Sequence, residues 1–294
     1  MNQNSLGSVS PLLEAVLAQL SAWLPKPAPM PDWDTHYAWR WVRRGQQGGL
    51  EALPFSSVTR FDDLHGIEDQ RIRFDQNMRQ FLKGFPANHV LLSGARGCGK
   101  SSLVKAALQA YLAEGLRVIE VDKAGLAELP DILALIRERS ERFVLFCDDL
   151  SFEAADLAWT SLKSLLDGSL SAPAGNVLVV ATSNRRHLMP DLHSDNTGTR
   201  HEGDEIHPAE AIEEKISLSD RFGLWLSFYA MDQMVYLQIA EHWATELGAP
   251  PVLEEQSIFR HEALQWALMR GSRSGRSANQ FARDWAGRKG LVKN

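Results

Sequence analysis

Cysteine is scarce in this chain: Cys98 and Cys147 are the only two in 294 residues. That excludes a disulfide-stapled secreted scaffold and suits a reducing compartment. Long apolar runs are missing as well; no stretch approaches the ~20 residues of a membrane-spanning helix. Positive charge is not in excess, because 31 Lys and Arg face 37 Asp and Glu for a net charge of −6. No broad basic field therefore advertises nucleic-acid binding, although a local basic face stays open. The opening residues MNQNSLGSVS have neither the basic start nor the apolar core of a secretory signal. The expectation is a cytoplasmic protein without membrane attachment. What remains is ordinary globular material, 44% hydrophobic and 23% charged, long enough for one large domain or two modest ones.

One stretch organises the rest. Gly94-Ala95-Arg96-Gly97-Cys98-Gly99-Lys100-Ser101 reads G-x-x-x-x-G-K-S, the phosphate-loop pattern. Before it, His89 to Ser93 is apolar and β-prone; after it, Ser102 to Leu108 has apolar residues at helical spacing. Strand, glycine loop and helix is the context the motif requires. Glycines let successive backbone N–H groups turn inward around an anion, and the helix N-terminus adds partial positive charge there. Residues Gly94 through Ser102 are thus the candidate phosphate cradle. Lys100 is expected on the β- and γ-phosphates of ATP, and the Ser101 hydroxyl on Mg²⁺.

Downstream, α and β signals alternate. Residues 116–121, 143–147 and 177–182 are apolar strands, 131–139 and 153–166 helices, and 224–228 the last strand. Near-continuous apolar strands between helices predict a parallel sheet covered on both faces, an α/β phosphate-loop fold. The strand 143–147 ends in Asp148-Asp149, where a carboxylate lies beside the metal. Asp148 is the expected Mg²⁺ ligand, directly or through water, and Asp149 the group that orients or deprotonates water. Asn184 ends the next strand, where its amide could hold the attacking water or the γ-phosphate.

Around this core, Pro11–Leu24 predicts an amphipathic helix. The aromatic cluster Trp33, Tyr37, Trp39 and Trp41 reads as a helix packed on the core, with a partner-binding surface as the alternative, and 45–54 reads as loop. A helix carrying Ile72, Phe74, Met78, Phe81 and Leu82 precedes the loop strand. Ile67, just before it, is either an apolar contact for the nucleotide base or core packing. Residues 185–207 form a long polar loop; its His193, His201 and His207 have irregular spacing for a metal, and a solvated loop is favoured. Three helices follow the last strand, at 232–247, 254–269 and 277–285. Cys98 and Cys147 could form a redox-sensitive pair or be two small buried residues; the latter is favoured. The expected domains are 1–60, 61–229 for the nucleotide-binding core and 230–294 for a helical lid.

The order of phosphate loop, acidic pair, Asn184, Ser219-Asp220-Arg221-Phe222-Gly223 and helical lid resembles the AAA+ ATPases over residues 60–294. The phrases FPANHVLLSGARGCGKSSLVKA, FCDDLSFE and SLSDRFGLWLSF resemble a family of uncharacterised bacterial AAA+ ATPases known as a domain of unknown function. The resemblance implies Walker A at Lys100 and Ser101, Walker B at Asp148 and Asp149, and sensor 1 at Asn184. It implies that Arg221 reaches a neighbouring subunit's γ-phosphate, hence a homo-oligomer. It implies that Arg276, in Ser274-Gly275-Arg276-Ser277-Ala278-Asn279-Gln280-Phe281, is the sensor 2 residue on the phosphates. A protein or nucleic-acid client is implied without being named. Both arginine roles suit a permanent, fork-shaped cation. One departure stands out: the usual Asp-Glu is Asp148-Asp149 here, one methylene shorter, and a misplacement of about 1 Å can cost about 10²-fold in rate. Glu153 or a bridging water would compensate. The alternatives are a nucleotide-gated adaptor with little turnover and a small-molecule phosphoryl transferase.

Overall fold

A computed structural model describes residues 30–45, 47–55, 59–150, 157–167, 175–184 and 220–293. The helix expected at 11–24, the polar loop 185–207 with its three histidines, Glu153 and Ser219 lie outside the described residues. In chain order the elements are β1 (Ala38–Arg44), β2 (Gln47–Ala52), α1 (Glu68–Leu82), β3 (Val90–Gly94), α2 (Lys100–Tyr111), β4 (Leu116–Glu120) and α3 (Leu129–Ile136). There follow β5 (Arg142–Cys147), α4 (Leu157–Leu166), β6 (Val177–Ser183), β7 (Leu224–Phe228), α5 (Gln233–Glu246), α6 (Gln256–Met269) and α7 (Gly275–Lys293).

The seven strands form one sheet in the order β2-β1-β4-β5-β6-β3-β7. Every pairing is parallel except the β1–β2 hairpin. Side-chain alternation along the central strands builds a core on each face. Leu91, Ile119, Leu145, Val179 and Ala181 point to one face, beneath Leu129, Ile132 and Ile136 of α3 and Leu162 of α4. Val90, Leu92, Val118, Val144, Phe146 and Val180 point to the other, beneath Phe74, Met78 and Phe81 of α1 and Leu103, Val104 and Leu108 of α2. Burial on both faces explains why these strands read as unbroken apolar runs. Ile72, grouped with the apolar face of α1 from the sequence, is instead exposed.

Trp39 and Trp41 of the aromatic stretch lie on a strand, not a helix, and Trp33 sits in a turn before it. Trp39 and Trp41 alternate with Arg40 and Val42, and both indoles enter the core shared with α3. Period-2 alternation of aromatics fits a pleated, half-buried surface. The expected loop 45–54 contains β2. Its glycines suggested a loop, but Gly48 is needed for packing: a Cβ there would stand 2.0 Å from the Trp41 ring. The Trp41 indole N–H donates to Glu128 Oε2 at 2.7 Å, tying the hairpin to the turn before α3. The sheet thus runs across the boundary expected near Arg60.

After β7, α5, α6 and α7 enclose a separate small core. Tyr236, Ile239 and Ala244 of α5 meet Phe259 and Ala263 of α6 and Phe281 and Trp285 of α7. Asp232 caps α5 by accepting from the Val235 N–H at 2.8 Å. The third helix is longer than the expected 277–285, continuing to Lys293.

Trp39→Ala should lower the unfolding free energy by about 3–5 kcal/mol in urea titrations, since it empties a fully buried site. A cost below about 1 kcal/mol would mean that the hairpin is dispensable trim. A second test concerns His89, whose Nδ1 accepts from the Val179 N–H at 3.0 Å. Burial pulls its pKa down to about 4, below the unfolded value near 6.5. Its contribution is therefore complete above about pH 6.5 and is lost as pH falls toward 4, by up to about 3 kcal/mol. His89→Gln should flatten that acid limb of the stability curve; an unchanged limb would contradict the assignment.

Candidate functional site

The site lies where β3, β5 and β6 end. β6 pairs with β3 through Ser93–Ser183 and with β5 through Cys147–Ala181, so their carboxyl ends are adjacent. Beyond Gly94, the last residue of β3, the loop turns back into α2, with Gly97 at φ 75° and Gly99 at φ 102°. Both angles are left-handed, a conformation open to glycine at little cost.

Lys100 folds its side chain back over this loop and is 6% exposed. Its ammonium donates to Gly94 O and Ala95 O, each at 2.7 Å, and to Asn184 Oδ1 at 3.0 Å. All three acceptors are neutral. Burial pulls its pKa below the ordinary lysine range, opposed by the nearby Asp148 and Asp149 carboxylates. A buried cation satisfied only by neutral oxygens gains most from a further anion, and that observation fits a phosphate.

The Ser101 hydroxyl donates to Asp148 Oδ1 at 2.9 Å. One hydroxyl and one carboxylate side by side are hard oxygen donors of the kind Mg²⁺ takes together with substrate phosphates and water. No group of three or more His, Cys, Asp or Glu among the described residues could hold a metal by itself. Thr182, 1% exposed on β6, donates to the same Asp148 oxygen at 2.6 Å.

Asp149 sits at φ 53°, the sole non-glycine positive φ among the described residues. Its N–H donates to Thr182 Oγ1 at 2.8 Å. Its carboxylate accepts from the Asn184 amide and lies 3.6 Å from the Arg96 guanidinium. Asn184 therefore bridges Lys100 and Asp149, linking loop and acidic pair.

These groups line a cavity of about 1330 Å³. Arg96 through Ser102, Asp148, Asp149 and Asn184 form one wall, and lid residues Met231, Ile239, Trp243, Gly275 and Arg276 another. The lid touches the loop directly: the Gly275 N–H donates to Gly97 O at 2.8 Å. Arg276 follows as an exposed cation at the cavity wall in the first turn of α7, whose Ser277 N–H is capped by Ser274 Oγ at 3.2 Å. Ile67, buried at the start of α1, also lines the cavity, beside Leu64 and His65. Its Cδ1 is 3.2 Å from the place a Cβ on Gly99 would take.

Of the expected residues, Arg221 and Cys147 lie outside this lining. Arg221 is outside the cavity lining of its own chain and forms an ion pair with Asp167 just past α4. Cys98 and Cys147 belong to cores on opposite faces of the sheet. The Cys98 thiol donates to Ala95 O at 2.6 Å and is shifted up by burial; Cys147 is pushed up to about 12 by burial. Raised values keep both thiols protonated and poorly reactive, against a redox pair. Sequence reasoning overlooked Thr182, the Arg96–Asp149 pair and the apolar lid residues Met231, Ile239 and Trp243. A hydroxyl directly after the apolar run Val177–Ala181 was the available signal for Thr182.

The family described as "Protein of unknown function (DUF815)" matches residues 34–289. The chain belongs to this family. Among solved structures, the FIGL-1 AAA domain in complex with ADP has a TM-score of 0.53 at 16% identity, covering 78% of this chain and 73% of that one. The Thermotoga maritima RuvB Holliday junction branch migration motor has a TM-score of 0.46 at 14% identity, with the same coverage of 78% and 73%. No curated protein matches the chain. The first likeness shows the fold: this DUF815 chain has the phosphate-loop α/β architecture of that AAA domain.

The contact between lid and loop yields a test. A Cβ on Gly97 would stand 3.0 Å from the Ser274 Cβ, so Gly97→Val should push the start of α7 off the loop. Trypsin cleavage at Arg273 or Arg276 should then quicken several-fold, because cleavage follows local opening. Unchanged cleavage would show that the lid is held without this contact.

Proposed function

We propose that this chain is a Mg²⁺-dependent ATPase that works as a homo-oligomer and couples nucleotide state to lid position. The observation that carries the reading is Lys100: a buried ammonium with only neutral partners, on a loop that the lid touches at Gly97. ATP would lie between core and lid, its base near Ile67 and its phosphates over Gly94 to Ser102. Lys100 and Arg276 would neutralise phosphate charge. Ser101 and Asp148 would hold Mg²⁺, which when bound screens the phosphate oxygens and orients the γ-phosphate. Asp149 and Asn184 would position the attacking water in line with the γ-phosphorus and ADP would leave, helped by placement and electrostatics. Arg221 of one subunit would complete a neighbour's site by leaving Asp167 for the γ-phosphate. The client remains a protein or nucleic acid of unspecified kind. No helix among the described residues is long and apolar enough to cross a membrane.

A nucleotide-gated adaptor with slow turnover is the second reading, and one observation favours it. Asp149, already one methylene shorter than glutamate, has its carboxylate engaged by Asn184 and Arg96. Phosphate release and ATP affinity, measured together on wild type, Lys100→Ala and Arg221→Ala, separate the two. The ATPase reading expects Lys100→Ala to lose ATP binding. It expects Arg221→Ala to keep binding and lose turnover by about 10³-fold or more, the usual worth of an arginine finger. Normal turnover in Arg221→Ala would end the trans role. Wild-type turnover below about one per minute with tight binding would favour the adaptor.

A further inference from the structure

We propose that Thr182 is a positioning residue that sets both halves of the acidic pair. The ladder between β5 and β6 ends at Cys147–Ala181, so residues 148–150 lie beyond the last regular pairing. Thr182 reaches all three of these residues, with one hydrogen bond to each. Its hydroxyl donates to Asp148 Oδ1 at 2.6 Å, the same hydroxyl accepts from the Asp149 N–H at 2.8 Å, and its carbonyl accepts from the Leu150 N–H at 2.7 Å. A hydroxyl has one proton to give, and here the Asp148 carboxylate receives it. With Ser101 also donating to Oδ1, that oxygen is held from two sides and Asp148 is fixed in one rotamer.

The second bond acts on the backbone. A non-glycine residue at φ 53° is in the left-handed region, which asparagine and aspartate enter more readily than other residues but still at a cost. The Asp149 N–H bond to the Thr182 hydroxyl holds that turn in place, and with it the direction in which the short Asp149 side chain leaves the strand. A buried side chain that only filled space would need no hydroxyl; valine would fit the volume and leave the Asp149 N–H without its partner.

The role rests on the nucleotide reading, and the test keeps the two apart. A fluorescent ATP analogue is titrated against wild type, Thr182→Val and Thr182→Ser, each with EDTA and with increasing Mg²⁺, alongside thermal melting. The expected result is unchanged affinity in EDTA for all three. Thr182→Val should need about tenfold more Mg²⁺ for half-maximal enhancement, as for the loss of one hydrogen bond to a charged group. Thr182→Ser, which keeps the hydroxyl, should return the wild-type Mg²⁺ midpoint even if its melting temperature falls. An unchanged Mg²⁺ midpoint in Thr182→Val, with only a lower melting temperature, would reduce Thr182 to a structural residue and overturn the proposal. Should Thr182→Val fail to fold, the same titration on Thr182→Cys decides, because a thiol keeps the volume and donates weakly. Wild type that binds no analogue under any condition would overturn the nucleotide reading, and this role with it.

Discussion

The parallel ladder through β5, β6 and β3 brings the phosphate loop, the acidic pair and Asn184 to one edge of the sheet. In a parallel sheet neighbouring strands finish at the same edge, so residues far apart in sequence arrive side by side. Gly94, Asp148 and Asn184 lie at three strand ends that the register aligns. In α/β sheets, ligands bind beyond the carboxyl ends of the strands. The apolar faces above and below make that alignment rigid, because shifting one strand by a residue would turn its buried side chains to the wrong core. The hairpin β1–β2 extends the same sheet, with Trp39 and Trp41 packed into the core beneath α3.

On that edge the chain places one buried cation, two carboxylates and several hydroxyl and amide groups, and each polar contact serves more than one group. Asn184 joins Lys100 to Asp149; Thr182 joins Asp148 to Asp149; the Gly97 carbonyl joins the loop to the lid. A phosphate entering between Lys100 and Arg276 would rebalance these contacts together, which gives a physical route from nucleotide to lid. Closure of a lid around a ligand through small changes at such contacts is a known form of conformational switching.

Much of this was readable in the sequence, for identifiable reasons. The β3 strand, its glycine loop and α2 announce themselves because steric demands at Gly97 and Gly99 leave a residue-type signature. The central strands were legible because burial on both faces writes continuous apolar runs, and the lid helices because one face of each is apolar at helical spacing. The hairpin was misread: four aromatics followed by Arg43 and Arg44 fit several patterns, and Gly48, a packing requirement of the Trp41 ring, looked like loop. The geometry brings Ile67, Lys100, Ser101, Asp148, Asp149, Asn184 and Arg276 to one cavity and leaves Arg221 with Asp167. Thr182 and Arg96 act through distances that only folding creates, so no spacing rule could have revealed their partners.

Hydrogen exchange with and without ATP and Mg²⁺ tests the central claim most directly. Phosphate binding between loop and lid should slow exchange together at residues 94–102, at 64–67 and at the start of α7 around Gly275, leaving β1 and β2 unchanged. Protection confined to some other surface, or none at saturating ATP, would contradict the account.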